Sequence, residues 1–184
     1  MSPEELQKRF DELIQQHGIL LEINPDNFHP TGLWACDVEH DEQGGFVGCG
    51  FSNGINCYYL ADIVLLNCID FSALSLICHN GVSDFDCLRS WGINVKDTQL
   101  CWDTGLVAHI IDSSRRGYGL KSLAESDLSI VYPSYDDIVG RKTLKQVKER
   151  RTLDKWPVDL VAKYNACDTF CTWRLYESQQ KQLY

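Results

Sequence analysis

The sequence predicts an α/β domain built on a mixed sheet. Three observations carry this. Short apolar runs with strand character crowd the first half, a strand-to-helix crossover follows from Leu74 to Trp91, and helical periodicity dominates from Asp103 onward. The 184 residues are the length of one ordinary domain, and no repeat, low-complexity tract or long linker divides them.

Ser2 followed by Glu5, with Leu6, Phe10, Leu13 and Ile14 on one stripe, predicts a capped amphipathic helix on the domain's flank. After the turn-rich 24–32 stretch come Leu33–Val38, Phe46–Phe51 and Ile55–Leu60. All three are rich in aromatic, cysteine and β-branched residues, and Gly44-Gly45 and Ser52-Asn53-Gly54 punctuate them. This pattern predicts a meander of antiparallel strands. A fourth run, Leu74–Cys78, leads through His79-Asn80-Gly81 into the helical pattern Val82, Phe85, Leu88, Trp91. Helices are then predicted over Thr104–Ile111, Leu120–Asp127 and about Pro157–Leu183, the last opened by a proline suited to a first helical position.

Composition narrows the function. No apolar run approaches the roughly 18 residues of a membrane span, and Ser2-Pro3-Glu4-Glu5 is unlike a secretion signal. The expectation is a protein of the cytoplasm or another reducing compartment, without a membrane partner. Nine cysteines with no C-x-x-C pair fit small buried thiols better than disulfides or zinc ligands. A net charge of −9 argues against gripping nucleic acid by bulk attraction, but it suits an enzyme that holds divalent cations with carboxylates. Residues 141–155 run against this trend. Arg141, Lys142, Lys145, Lys148, Arg150, Arg151 and Lys155 face only Glu149 and Asp154. The segment is either a phosphate contact, with Lys145 and Lys148 at its centre, or a solvated stretch with no ligand.

Three weak motifs carry candidate chemistry. Asp37-Val38-Glu39 closes the first strand, where side chains two apart share a face and both carboxylates can reach one cation. Asn80-x-x-x-Asp84 lies at a strand-to-helix edge, where α/β sheets place ligands. Tyr-x-x-x-Asp occurs at Tyr58/Asp62, Tyr132/Asp136 and Tyr164/Asp168, and only the last pair sits on a well-defined helix with both residues on one face. About 0.8 D-x-E matches arise by chance in a chain this acidic, so no motif decides alone. Asp86 points away from Asp84 by two helical steps. His79 reads as structural, and Cys167 and Cys171 lack partner ligands.

Taken in order, Ala35-Cys36-Asp37-Val38-Glu39, the 78–88 stretch around Asn80 and Asp84, and Tyr164-Asn165-Ala166-Cys167-Asp168 resemble the DEDD (DnaQ-like) 3′–5′ exonucleases. They resemble specifically the branch whose last motif carries tyrosine. Trp102-Asp103-Thr104 and Gly119–Glu125 look like intervening helices of the proofreading exonuclease domain of family A DNA polymerases, and Thr172–Glu177 continues the likeness. It covers roughly residues 30–183. Two departures are Ser83, where an aromatic is common, and His40, where a small hydroxyl residue is frequent.

The resemblance implies a ribonuclease H-like mixed five-stranded sheet flanked by helices. Residues 1–28 would form a helix and lead-in, and residues 29–184 the exonuclease domain of a single globular unit. It implies two Mg²⁺ or Mn²⁺ ions: Asp37, Glu39 and Asp168 hold the first, Asp37 bridges to the second, and Asp84 supports the second through water. Tyr164 orients the attacking water, while Asn80, with His40 beside the first motif, meets the terminal nucleotide or its phosphate. The implied reaction releases nucleoside 5′-monophosphates from the 3′ end of DNA in proofreading or end processing, by a free-standing enzyme or one beside a polymerase. Two rivals stand next to it: an RNA-trimming enzyme with the same site, and a non-catalytic nucleic-acid or polymerase-binding module.

Overall fold

The computed structural model describes residues 1–139 and 152–183, so Lys145 and Lys148 lie outside the described residues. Helix α1, Pro3–His17, begins at a reciprocal cap. The Ser2 hydroxyl accepts from the Glu5 N–H at 3.2 Å, and the Glu5 carboxylate accepts from the Ser2 N–H at 2.8 Å. Gly18 ends it at φ 63°, a conformation glycine adopts without a Cβ penalty.

Among the described residues six strands follow: β1 Leu20–Ile23, β2 Gly32–His40, β3 Phe46–Ser52, β4 Asn56–Leu60, β5 Leu74–Cys78 and β6 Leu100–Asp103. Their order in the sheet is β1-β4-β3-β2-β5-β6. The pairs β2–β3 and β3–β4 are antiparallel, as the turn signals predict, whereas β1–β4, β2–β5 and β5–β6 are parallel. The other α-helices among the described residues are α2 Ile63–Asn67, α3 Gly81–Ser90, α4 Thr104–Ile111, α5 Leu120–Leu128, α6 Tyr135–Val139 and α7 Val158–Leu183.

The fold class stands as a mixed α/β sheet with flanking helices, with two corrections of detail. The sheet has six strands rather than five, because β1 adds a four-residue edge. Leu20 and Ile23 of that edge stay 60% and 38% exposed, so no alternating pattern announces it. Trp102 and Asp103, expected in a helix, instead end β6, and Asp103 caps α4 by accepting from the N–H groups of Gly105 and Leu106.

Strand alternation sends β2 side chains to two cores. Cys36 and Val38 pack with Phe51, Leu76, Phe85 and Leu88 on the α3 face. On the opposite face, α1 and α7 bury Leu6, Phe10, Tyr59, Leu160 and Phe170 together. Asp37 and Glu39 therefore turn toward α7. The parallel pair β2–β5 runs its C-terminal ends to one edge, which brings the start of α3 beside those two acids. All nine cysteines are free thiols, and among the described residues no helix is long and apolar enough to cross a membrane.

Candidate metal centre

Carboxylate oxygens of Asp37, Glu39 and Asp168 lie within 4.8 Å of one another, close enough for one cation. Asp37 and Glu39 come from consecutive same-face positions of β2. Asp168 descends from α7, which lies across β2 and β3. Asp84 enters from the first turn of α3, where the helix dipole favours a carboxylate, and is 7% exposed. Its neighbour in the sequence pattern, Asp86, is exposed and sits 3.6 Å from Arg89.

Like charges in a dry setting shift these acids. Burial, then the charges of Glu39, Asp84 and Asp168, push Asp37 well above the usual carboxylate range. Burial and Asp168 push Glu39 up to about 8, outweighing the Asn165 hydrogen bond and the Lys121 charge. Asp84 is raised as well, by burial first and then by negative neighbours including Glu39 and Asp103. One Asp84 oxygen, Oδ2, is buried without a hydrogen-bond partner. Carboxyl oxygens crowded together, one of them without a hydrogen-bond partner, become hard oxygen donors once a divalent cation displaces their protons, so the residues fit Mg²⁺ or Mn²⁺.

A stability prediction follows from these shifts. A carboxyl whose folded pKa stands above its unfolded value holds its proton in the native state where the unfolded chain has lost it. Its contribution is complete below about pH 4.5 and vanishes as pH rises through about 8 for Glu39, with Asp37 and Asp84 acting in the same direction. In EDTA, the melting temperature is expected to fall between pH 5.5 and pH 8, and Mn²⁺ is expected to restore more of it at pH 8. A flat profile in EDTA would show that the acids do not repel.

Tyr164 lies one turn before Asp168 and packs edge-on against Phe10, with ring centroids 6.2 Å apart. Burial and the Asp168 charge raise its phenol well above the ordinary value, so it stays protonated and can donate. Asn80 sits in the left-handed region at φ 66°, exposed, just before α3. Asp103 holds this turn: its carboxylate accepts from the Gly81 N–H at 2.8 Å and the Asn80 N–H at 3.3 Å. His40 is exposed at a bulge in β2, and its Nδ1 lies 2.8 Å from the Asp41 carbonyl, turned into its own loop rather than onto the acids. His79 has the structural place expected of it, with Nδ1 2.8 Å from the Thr104 hydroxyl.

Two residues that motif reading passed over complete the centre. Asn165 is fully buried and donates from Nδ2 to Asp37 Oδ2 at 2.9 Å and to Glu39 Oε1 at 3.3 Å, tying the two acids to α7. Its approach depends on Gly50, where an added Cβ would fall 1.6 Å from Asn165 Oδ1. Lys121, near the start of α5, donates to Asp168 and stands 3.9 Å from the centre of the Tyr132 ring and 4.5 Å from that of Tyr164. A signal for Lys121 existed, since lysine in the first turn of a helix opposes the dipole. Asn165 offered only its place between Tyr164 and Asp168.

No family model matches the chain. Over 118 residues it is 30% identical to DNA polymerase DpoZ of Acinetobacter phage SH-Ab 15497, a match spanning 61% of this chain and 19% of the polymerase. Over 107 residues it is 34% identical to DNA polymerase I of Chloroflexus aurantiacus, spanning 57% of this chain and 10% of that one. The matches thus span a fifth or less of these relatives. Among solved structures, Brucella melitensis NrnC with bound Mg²⁺ superposes with a TM-score of 0.62 at 14% identity, covering 90% of this chain and 82% of NrnC. The Aedes aegypti Nibbler EXO domain gives a TM-score of 0.56 at 12% identity, covering 96% and 85%. The chain therefore shares the fold of these solved structures. Within this fold, Asp37, Glu39 and Asp168 converge at one end of the β2–β5 pair.

Proposed function

We propose that the chain is a metal-dependent 3′–5′ exonuclease that removes nucleoside 5′-monophosphates from the 3′ end of DNA, in proofreading or end processing. The observation that carries this reading is the meeting of Asp37, Glu39 and Asp168 oxygens within 4.8 Å, beside an Asp84 oxygen with no other partner. Two Mg²⁺ or Mn²⁺ ions, when bound there, would make a water nucleophilic near neutral pH and would stabilise the leaving oxygen. Asp37, Glu39 and Asp168 would hold one ion. Asp37 and Asp84 would serve the other. Asn165 ties Asp37 and Glu39 to α7 by hydrogen bonds, and Tyr164, protonated, aligns the attacking water by one hydrogen bond. Asn80, exposed at the start of α3, meets the terminal nucleotide, and Lys145 and Lys148 are the candidates for backbone contact.

DNA is favoured as substrate because the sequence relatives are DNA polymerases, and a polymerase is the corresponding candidate partner. RNA is the second reading, because the acids act on the phosphodiester and do not contact the sugar; the fold likeness to an NrnC structure bound to pGG supports a nucleic-acid substrate of either kind. Matched DNA and RNA single strands carrying 5′ or 3′ labels separate the two. With Mn²⁺, the 5′-labelled DNA is expected to give a ladder shortening by single nucleotides and the 3′-labelled DNA an immediate mononucleotide, both abolished by EDTA. Faster loss of RNA would move the assignment to RNA trimming, and no metal-dependent cleavage of either would leave a binding module.

A further inference from the structure

We infer that Lys121 is a tethered counter-ion that competes with the divalent cation for Asp168 and so sets how tightly the centre takes up metal. The inference rests on the metal-dependent reading above. It starts from an ammonium group placed where a cation belongs. Lys121 donates to Asp168, one of the three acids whose oxygens converge, and Asp168 is only 6% exposed.

The placement is costly on its own terms. Lys121 is the second residue of α5, whose first turn has no side-chain cap and presents the positive end of the helix dipole. The Asp168 carboxylate and the faces of Tyr132 and Tyr164 offset that cost by enclosing the ammonium on three sides. A carboxylate oxygen that accepts from an ammonium group is not free to bind a cation through the same lone pairs. Uptake of metal at Asp168 therefore competes with Lys121 for Oδ1 and repels its ammonium group.

Space for withdrawal adjoins the pair. A groove of about 400 Å³ is lined by Lys121, Ser122, Tyr135, Asp136, Tyr164 and Asp168. The lysine stem can swing there without disturbing α5. Departure of the ammonium also uncovers the Tyr164 ring, so cation entry and release of the tyrosine happen together. Lys121 acts through Asp168 and is a positioning residue.

Calorimetric Mn²⁺ titration tests this on the whole chain, comparing wild type with Lys121→Met, Lys121→Arg and, as a control for net charge, Lys181→Met. Lys181 is exposed near the end of α7. Lys121→Met is expected to tighten Mn²⁺ binding about tenfold, the scale of a typical coupling between two ligands, with Lys121→Arg and Lys181→Met close to wild type. Lys121→Gln replaces Lys121→Met should the latter fail to fold. Unchanged or weaker binding in the uncharged variants, beside a wild type that binds Mn²⁺ normally, overturns the competition while leaving the metal-dependent reading in place. Absence of Mn²⁺ binding in every variant overturns both.

Discussion

Asp37→Asn is expected to abolish hydrolysis while raising the melting temperature of the metal-free protein at pH 8. Asp37 shares a face of β2 with Glu39, lies within one cation's reach of Glu39 and Asp168, and carries a pKa driven upward by burial and by three other acids. Neutralising it removes a ligand proposed to serve both ions. Metal stabilisation of the transition state is worth several kcal/mol, so a loss of about a thousandfold or more is expected. The same change relieves repulsion that the apo protein otherwise meets by holding protons. The amide oxygen can still accept from Asn165, so the tie to α7 persists. Melting in EDTA and in Mn²⁺, read beside a single-turnover cleavage assay, checks both halves. Near-normal cleavage by Asp37→Asn would remove the metal mechanism, and a lower apo melting temperature would show that Asp37 contributes more through its hydrogen bonds than it costs through its charge.

Asp168→Asn and Tyr164→Phe, one helical turn apart on α7, are expected to fail in different ways. Asp168 belongs to the converging acids, so its neutralisation should weaken Mn²⁺ binding and cut activity, with partial recovery at high Mn²⁺. Tyr164 holds a protonated phenol beside Asp168 and contributes only an oriented hydrogen bond. Tyr164→Phe should leave the Mn²⁺ titration unchanged and lower turnover by about 10²–10⁴-fold, toward the small end because the metal already activates the water. The ring remains against Phe10, so stability should change little. Unchanged turnover in Tyr164→Phe would make Tyr164 a packing residue, and an altered Mn²⁺ isotherm would place it among the groups that hold the ion.

Features that repeat within one element were legible in the sequence. The Ser2/Glu5 cap, the glycine-punctuated meander and the long last helix all follow from local periodicity and turn chemistry, and α4 spans the predicted Thr104–Ile111. So does the pairing of Asp37 with Glu39 and of Tyr164 with Asp168, because the strand repeat of two and the helix repeat near four set which side chains share a face. The sequence also separates Asp84 from Asp86, which the structure places in a buried and an exposed setting.

Tertiary structure decided the rest. Edge strand β1 buries too little to leave an apolar pattern, and the short β6 is hidden because its last residue doubles as the cap of α4. Asn165 reaches Asp37 across 128 positions, through space left by a missing side chain at Gly50, and Lys121 reaches Asp168 across 47. Spacing within an element reports which way a residue faces, but not what a different element brings opposite it. Those partners were set only when α5 and α7 packed onto the sheet, where burial removed the water that would otherwise have screened the acids from one another and from the lysine.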